Sequence, residues 1–343
     1  VYEAGFPEYE VKWAYNQRNR TVKLNIKQKQ DLAKIKLFSM PVSIKIDDLL
    51  HTIWVDEEEM TFELPVDIRP RMVIFNSGMR IPCKVNFNKP LSEWITQLEQ
   101  APHVLDRVAA INVLKKKRGR RNVENALLKA IEKDPFWGVR KEAVQGLASL
   151  KSKQHSDMLM NLSEGQDNRV KRAIWNALRN YKNNDDVSTF LQNVVSTENK
   201  YYSVSDAYRA LIAVDTAAAR KKGDALLVRD SHQDVIRRAA ISYFGSVKND
   251  KNYDRLKELA SYGGTTWDAR PEAVSQLSRY AKQKRETIDV FVNLLEDRSR
   301  DVRRRAIYAL ANHGDKTHLG HLDEVMFKDP ALGRDIRYAK KRI

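Results

Sequence analysis

The first 90 residues alternate hydrophobic and polar side chains with a period of two. Because a β-strand points successive side chains to opposite faces, this alternation predicts half-buried strands. It is clearest in three stretches: 9–15, 22–26 and 38–46. Shorter apolar runs around Ile53, Phe62, Phe75 and Val85 bring the total to about seven strands, separated by polar turns. About seven short strands without a helical stretch predict a small β-sandwich.

After residue 90 the pattern changes to a helical period and repeats. A small residue recurs every 30 to 34 positions, and we call these seven residues the marker alanines: Ala110, Ala143, Ala173, Ala207, Ala239, Ala273 and Ala306. Around Ala306, for example, Val302 lies four positions before and Leu310 four positions after. Such offsets share one face of a helix, and the small central residue lets a second helix approach closely.

A second amphipathic segment follows each marker helix, so we interpret the marker helix as the first of each pair. Stacked helix pairs of this length form a superhelix. The predicted fold is therefore mostly α: an α-α superhelix of about seven repeats at residues 91–343, preceded by a β-sandwich domain at residues 1–90. Pro90 marks the boundary, and Ser92 is the expected N-cap of the first helix.

Length and composition fit a two-domain globular protein. The chain has 343 residues, of which 42% are hydrophobic and 31% charged. It contains no apolar run of about 18 residues, which predicts that it has no membrane span. The single Cys83 excludes internal disulfides and a cysteine-based zinc site. The chain begins with Val1 and shows no signal peptide, so we expect a piece of a longer polypeptide, in the cytoplasm or the periplasm.

The net charge of +16 is concentrated in the helical part. Residues 1–90 hold 14 Lys and Arg against 12 Asp and Glu, whereas the remaining residues hold 47 against 33. Cations recur near the start of each marker helix, and the candidate basic surface consists of Arg140, Lys171, Arg237, Arg270 and Arg303. Such a stripe can bind an acidic partner or nucleic acid.

A structural ladder is the alternative explanation of the basic stripe, and the pattern favours it. Aspartates lie near the same helix starts, where they can pair with neighbouring arginines: Asp134, Asp167, Asp234, Asp268 and Asp301. Nucleic acid is unlikely as a partner, because Trp137, Trp175 and Trp267 do not form a row on which bases could stack.

Motifs for catalysis are absent from the sequence. It has no H-E-x-x-H, no G-x-S-x-G and no phosphate-binding G-x-x-x-x-G-K-[ST]. His318 and His321 have spacing that could hold a metal on a helix, but no clear third ligand accompanies them, and a solvated helix start is more typical. The sequence therefore predicts no catalytic, metal-binding or cofactor-binding residue in this chain.

The repeated unit resembles a short HEAT repeat. The pattern of an Asp, then Val-Arg-x-x-Ala and a Leu four residues later, is present at Asp134, Val139, Arg140, Ala143 and Leu147. The resemblance covers about residues 100–330. It implies an architecture and says almost nothing about function.

A second resemblance involves the whole chain and is most specific near its start. The segments 1–11, 21–28 and 94–98 look like three segments of the M1-family zinc aminopeptidases. They resemble the turn that follows the catalytic domain, the second strand of the following sandwich, and the entry to the helical domain. The turn is carried here by Gly5-Phe6-Pro7, and the second strand ends in Gln28, as it tends to in that family.

This resemblance implies a function for a larger parent protein. Family members bind zinc through H-E-x-x-H and a downstream Glu, and hold the peptide's amino terminus with a G-x-M-E-N loop. Both elements belong to a catalytic domain that would precede Val1, so no catalytic or metal residue is transferred to this chain, which should be inactive alone. The implied partners are the parent's own N-terminal catalytic domain and peptide substrates.

Two functions follow as hypotheses. In the first, the chain is the non-catalytic C-terminal region of an M1-like zinc aminopeptidase, where it links to and covers the active-site cleft and controls peptide access. In the second, it belongs to a catalytically inactive relative and is a HEAT-repeat scaffold that binds a protein or nucleic acid through its basic face.

Overall fold

The computed structural model describes residues 5–150 and 155–343. Within these ranges the chain forms seven β-strands followed by sixteen α-helices. It divides into two compact units, residues 1–152 and 153–343. The sheets and the first four helices lie together in the first unit. The domain boundary expected at residue 90 falls inside that unit, at the change from strands to helices, and it stays a prediction.

The strands form two small sheets. Their bounds are β1 (Glu8–Asn16), β2 (Thr21–Gln28), β3 (Met40–Ile46), β4 (Leu49–Val55), β5 (Glu59–Pro65), β6 (Val73–Phe75) and β7 (Lys84–Phe87). One sheet has the order β5-β2-β1-β7 and the other β4-β3-β6. All pairs are antiparallel except β1 with β7, which run parallel with Glu8 opposite Lys84.

The two sheets share one hydrophobic core. The inward side chains of β2, which are Val22, Leu24 and Ile26, are at most 1% exposed, and they pack in one cluster with Val42 and Ile44 of β3. The polar residues between them remain at least partly exposed, as the alternation of the sequence predicts. A small N-terminal sheet domain with about seven strands is therefore confirmed.

Four helices complete the first unit: α1 (Leu91–Gln100), α2 (Val104–Leu114), α3 (Arg121–Lys133) and α4 (Trp137–Ser149). The expectation that Ser92 caps α1 is wrong. Pro90 holds the N-cap position and α1 begins at Leu91, so Ser92 is already inside the helix. Proline is well suited to a helix start, because its missing N–H is one that a helix terminus cannot satisfy internally.

Twelve helices form the second unit. Their bounds are α5 (Ser156–Asn161), α6 (Asn168–Leu178), α7 (Asp185–Thr197), α8 (Tyr201–Val214), α9 (Thr216–Val228), α10 (Val235–Ser246), α11 (Asp250–Ala260), α12 (Arg270–Leu277), α13 (Thr287–Leu294), α14 (Arg300–His313), α15 (Leu319–Lys328) and α16 (Gly333–Arg342). In the described part of the chain, none of the helices combines the length and the apolar character that crossing a bilayer requires.

The marker alanines occupy the helix interfaces, as expected. Six of them are 0% exposed and Ala173 is 7% exposed. They lie on the even-numbered helices α2 to α14, and within each unit these helices pack on one another. In α4, Gly146 adds to the effect, because a Cβ there would lie 3.1 Å from Cγ2 of Ile111 on α2. Small side chains at this interface allow the close approach that the sequence pattern predicts.

The order of the helices within a pair differs from the interpretation of the sequence. Each even-numbered marker helix packs more extensively on the odd-numbered helix before it than on the one after it, so the marker helix is the second of its pair. An eighth pair, α15 with α16, continues the repeat beyond Ala306. Its small buried residue is Ala339, which is 0% exposed and lies 33 positions after Ala306.

We expect Ala273→Leu to destabilise the helical repeats, because Ala273 is fully buried in the core that α10, α12 and α14 share. Inserting a large side chain into a packed interface costs about 1–3 kcal/mol in the free energy of unfolding. Urea unfolding followed by circular dichroism measures the change. Ala217→Leu, at an exposed position of α9, is the matched control and should leave the midpoint nearly unchanged. Equal effects of the two substitutions would contradict the assigned role of the marker alanine.

Candidate functional site

The basic stripe is built around buried guanidinium groups. Arg270 at the start of α12 is 2% exposed. Its Nη2 donates to Oδ2 of Asp297 at 2.5 Å, and its Nε and Nη2 donate to the carbonyl oxygen of Ala260 at 3.3 and 3.1 Å. Ala260 is the last residue of α11, where helical carbonyls have no partner within the helix. Arg270 therefore joins the end of the preceding helix to the loop of the next repeat.

The next repeat continues the same arrangement. Nη1 of Arg303 donates to the backbone oxygen of Asp297 at 2.6 Å, and its Nη2 donates to Oδ2 of Asp329 at 2.6 Å. Asp297 thus accepts from Arg270 through its side chain and from Arg303 through its backbone. Arg300 also contacts Asp329, and these two guanidinium groups hold the pKa of that carboxyl below its usual value.

The first unit repeats the pattern with Arg107 and Asp134. Nε and Nη2 of Arg107 donate to the two carboxylate oxygens at 2.7 and 3.1 Å, and its Nη1 donates to the carbonyl oxygen of Ala101 at 2.9 Å. Arg140 then donates to the backbone oxygen of Asp134 at 2.7 Å. Charge-assisted, two-pronged pairs of this kind compensate the cost of burying the charges. We call the set Arg107–Asp134–Arg140 and Arg270–Asp297–Arg303–Asp329 the arginine ladder.

The remaining predicted cations differ from one another. Arg237 is 9% exposed, donates to the carbonyl oxygen of Leu227 at 2.6 Å, and pairs with Asp234 and Asp230. Lys171, by contrast, makes no ion pair among the described residues and lines an open groove beside Trp175.

Of the five candidate residues, Arg237, Arg270 and Arg303 are thus tied to aspartates and Arg140 to carbonyl oxygens. This is the arrangement that the ladder hypothesis requires. Four of the five predicted aspartates pair with arginines: Asp134 with Arg107, Asp167 with Arg169, Asp234 with Arg237 and Asp301 with Arg304. Asp268 makes no ion pair among the described residues. A role of the five cations as a binding surface stays a prediction.

One of the two histidines that could have bound a metal has a structural role. His318 closes a capping box with Asp315: the backbone N–H of Asp315 donates to Nδ1 of His318 at 3.2 Å. No group of three or more His, Cys, Asp or Glu side chains in residues 5–150 and 155–343 is arranged to hold a metal ion.

Sequence reasoning missed a buried polar network where the sheets meet α1. The side chain of Lys89 is 0% exposed, and its Nζ donates to the carbonyl oxygen of Val73 and to Oε1 of Gln97, both at 2.7 Å. Glu93 lies 3.4 Å from the same ammonium, and its carboxylate accepts from the N–H of Val73 at 2.9 Å and from the indole N–H of Trp13 at 3.2 Å. Strands β1 and β6 are thereby bound to the first turn of α1.

The network extends to α2 through Asp106, which is 2% exposed. Its carboxylate accepts from Oγ of Ser77 at 2.8 Å and from the N–H of Gly78 at 2.9 Å, and its carbonyl oxygen accepts from Nε2 of Gln97. The Lys89–Glu93 spacing of four residues was the available signal in the sequence. Nothing local could have indicated Asp106, whose partners lie about 28 positions earlier.

Burial lowers the pKa of Lys89 from its usual value of 10.5 to about 8, although the nearby Glu93 opposes the shift. The ammonium also lies 4.2 Å from the centre of the Trp94 ring, a favourable cation–π contact. It also lies 5.0 Å from the centre of the Phe87 ring, so a charged group with no exposed surface is held by three acceptors and two aromatic faces.

The comparisons with known proteins agree with this architecture. Residues 124–212 match the family model of HEAT repeats. HEAT repeats are present in this chain. A solved structure of Legionella pneumophila aminopeptidase A, described as a complex with aspartic acid, has a similar fold, with a TM-score of 0.53 at 15% sequence identity. The similarity covers 97% of this chain and 44% of the aminopeptidase, so the chain spans less than half the length of that protein. No curated protein matches the sequence.

Removing one member of the arginine ladder should be costly. We expect Arg270→Ala to lower the free energy of unfolding by about 3–5 kcal/mol, because it leaves Asp297 buried without its counter-charge. The double variant Arg270→Met/Asp297→Asn should recover part of the loss. Lys328→Ala, which removes a well-exposed partner of Glu296, is the control and should not change the unfolding midpoint. A loss no larger than the control's would show that the ladder is not structural.

Lys89 should make stability depend on pH. Between pH 8 and 10 the unfolded chain keeps the lysine protonated while the folded chain releases the proton, so the free energy of unfolding rises with pH across this window. A shift from 10.5 to about 8 corresponds to about 3 kcal/mol when complete. The measurement compares urea unfolding of the unsubstituted chain and of Lys89→Met at pH 7 and pH 10. Parallel changes in the two proteins would contradict the assignment.

Proposed function

We propose that this chain is the non-catalytic C-terminal region of an M1-like zinc aminopeptidase. There it links to the catalytic domain, covers the active-site cleft and controls which peptides enter. The observation that carries the proposal is the extent of the structural similarity: nearly the whole chain corresponds to part of an aminopeptidase structure that is more than twice as long. The order of a sheet domain, then helical repeats, supports the same proposal, as does the Gly5-Phe6-Pro7 turn before β1.

The described residues of this chain do not fit a zinc site. Its clustered carboxylates are engaged by arginines or backbone N–H groups, as Asp297 and Asp106 are, and the paired histidines lack further ligands. In the proposed parent, the zinc ion belongs to the catalytic domain. The contribution of this chain is then to shape the space around the substrate rather than to take part in the chemistry.

A small cationic cleft is a candidate contact for the far end of a peptide. It has a volume of about 290 Å³ and lies where α10, α12 and α14 begin. Arg238 and Arg305 line it together with Trp267, which is 55% exposed. The lining also contains Asp301, which is paired with Arg304, and Asp268, so the cleft has one more cation than it has carboxylates. Arg305 makes no ion pair among the described residues, and Arg238 reaches Glu272 only at 3.9 Å. These two guanidinium groups are available for a carboxylate, whereas the ladder arginines are not.

The decisive experiment recovers the parent protein from its source with an antibody against the helical repeats. A mass well above 39.7 kDa, about one zinc ion per chain and removal of amino-terminal residues from peptides would support the proposal. A large parent without zinc or peptidase activity would instead identify an inactive scaffold. A parent of the same size as this chain would refute the proposal.

In an active parent, we expect Arg238→Gln/Arg305→Gln to raise KM for peptides with an acidic or free carboxyl end by about 3–10-fold, because each lost charge contact at an exposed site contributes about 0.3–0.7 kcal/mol. Hydrolysis of an aminoacyl anilide, which is too short to reach the cleft, should not change. The matched control is Arg334→Gln/Arg337→Gln, which removes two exposed cations of α16. Equal effects on long and short substrates would show that this cleft does not contribute to the selection of substrates.

The alternative, a HEAT-repeat scaffold that binds a protein or nucleic acid through the five cations, has less support. Four of them already donate to carboxylates or carbonyl oxygens within the fold, whereas the side chain of Lys171 makes no ion pair or hydrogen bond among the described residues. Such a scaffold predicts capture of a partner that weakens steeply with salt. Retention of a partner by the parent, lost on Lys171→Gln, would favour it over the peptidase region.

A further inference from the structure

The loop between α2 and α3 carries the densest positive charge of the chain. Six of the seven residues 115–121 are Lys or Arg, and Gly119 forms the turn with a φ of +67°, a conformation that favours glycine. Lys116, Lys117, Arg118, Arg120 and Arg121 are exposed, and none of these five side chains makes an ion pair or hydrogen bond with a described residue. Unlike the arginine ladder, these charges have no internal use.

This loop forms one rim of a groove that lies entirely within the first unit. The groove has a volume of about 1360 Å³, and it lies between the segment that precedes and includes β7 and helices α1 and α2. Such a volume exceeds that of typical small-molecule pockets, about 300–1,000 Å³, and suits a segment of polypeptide. We call it the α2–β7 groove.

The lining of the α2–β7 groove is divided between apolar and cationic side chains. Met79, Val85 and Leu105 are 49%, 37% and 47% exposed and line the same groove, and exposed apolar side chains that are grouped in this way mark interaction sites. The cations at its edge are Arg80, Lys116, Lys117 and Arg120, together with Lys12, which is already paired with Glu10. Asp106 also lines it but is buried and fully hydrogen-bonded. Four positive charges without a partner in the described part of the chain therefore surround an apolar strip.

We propose that the α2–β7 groove binds a protein segment in which acidic residues alternate with aliphatic ones. Charge complementarity supports this occupant, because carboxylates can pair with the rim while aliphatic side chains cover the exposed strip. Nucleic acid is a poorer match: single strands need open aromatic faces, and the ring of Trp94 is already covered by the ammonium of Lys89. The proposal does not depend on the peptidase hypothesis, since no residue of the groove is used there.

The test measures fluorescence anisotropy of a labelled peptide of interspersed Glu and Leu on titration with the 343-residue chain. Binding should weaken by about tenfold or more in Lys116→Gln/Lys117→Gln/Arg120→Gln, because three charge contacts are removed. The control Arg334→Gln/Arg337→Gln/Lys341→Gln removes three exposed cations of α16 and should bind the peptide as tightly as the unsubstituted chain does. Leu105→Gln, in the apolar strip, should weaken binding by the same factor at low and at high salt. Binding to the unsubstituted chain should weaken as salt rises from about 50 to about 300 mM.

Matched probes separate the possible occupants. A peptide with Gln in place of Glu and one with Ser in place of Leu should both bind weakly. The proposal is overturned if Lys116→Gln/Lys117→Gln/Arg120→Gln binds the Glu and Leu peptide as tightly as the unsubstituted chain does, or if the peptide without Leu binds as tightly as the one with Leu. It is also overturned if single-stranded DNA or vesicles with anionic lipid bind more tightly than the Glu and Leu peptide. Circular dichroism of each variant confirms that the fold is retained.

Discussion

Burying a guanidinium is tolerated only when its donors find acceptors, and this constraint organises the helical repeats. Arg270 is almost inaccessible to water, and its donors meet the end of one helix and the aspartate of the following loop. Because the same aspartate offers its backbone oxygen to Arg303, neighbouring repeats are held in a fixed order. Apolar packing brings the helices together, but it is not directional. The ladder supplies the direction, and a shifted repeat would leave buried charge unpaired.

The same residue types serve two opposite purposes in this chain. In the repeats, most arginines near the marker helices donate to aspartates or carbonyl oxygens of the fold, so their contribution to the net charge of +16 says little about binding partners. In the loop between α2 and α3, the five exposed cations find no acceptor among the described residues and remain available, whereas Lys115 donates to Oδ1 of Asn112. The cationic cleft beside Trp267 is intermediate, since Arg304 is held by Asp301 and Asp335 while Arg305 makes no ion pair with any residue that the structure describes. Net charge alone could not distinguish these three situations.

The local periodicities of the sequence were sufficient for the architecture. The alternation in β2 and the spacing of the marker alanines each indicate one buried face. The residues that form such a face are close together in the sequence, so their periodicity alone reveals it. The order of helices within a pair was misjudged because the period of 30 to 34 residues is the same whichever helix is counted first. Ala339 was missed because α16 ends the array and its other positions are largely charged, so the apolar face of the repeat is narrow there.

The functional residues were less accessible to prediction for a physical reason. The five cations were found because they repeat, but whether a side chain pairs internally depends on loops that bring Asp297 or Asp329 to it. Lys89 is an example of the same difficulty: a lysine before a proline at a domain boundary is ordinarily exposed, and only the tertiary arrangement of Val73 and Gln97 makes its burial possible. Patterns in sequence report faces, whereas sites are made of long-range contacts.

The parallel pairing of β1 with β7 has a mechanical consequence. The first strand of the sheets and the last lie side by side, with residues 8–11 opposite residues 84–87. A force that pulls on the chain before Glu8 and on α1 acts on the start of one strand and the end of its parallel neighbour. Their hydrogen bonds are then loaded together in shear rather than opened one by one. The two ends of the sheet domain are thus clamped, and tension along the chain can pass from one side to the other without unravelling the strands between them.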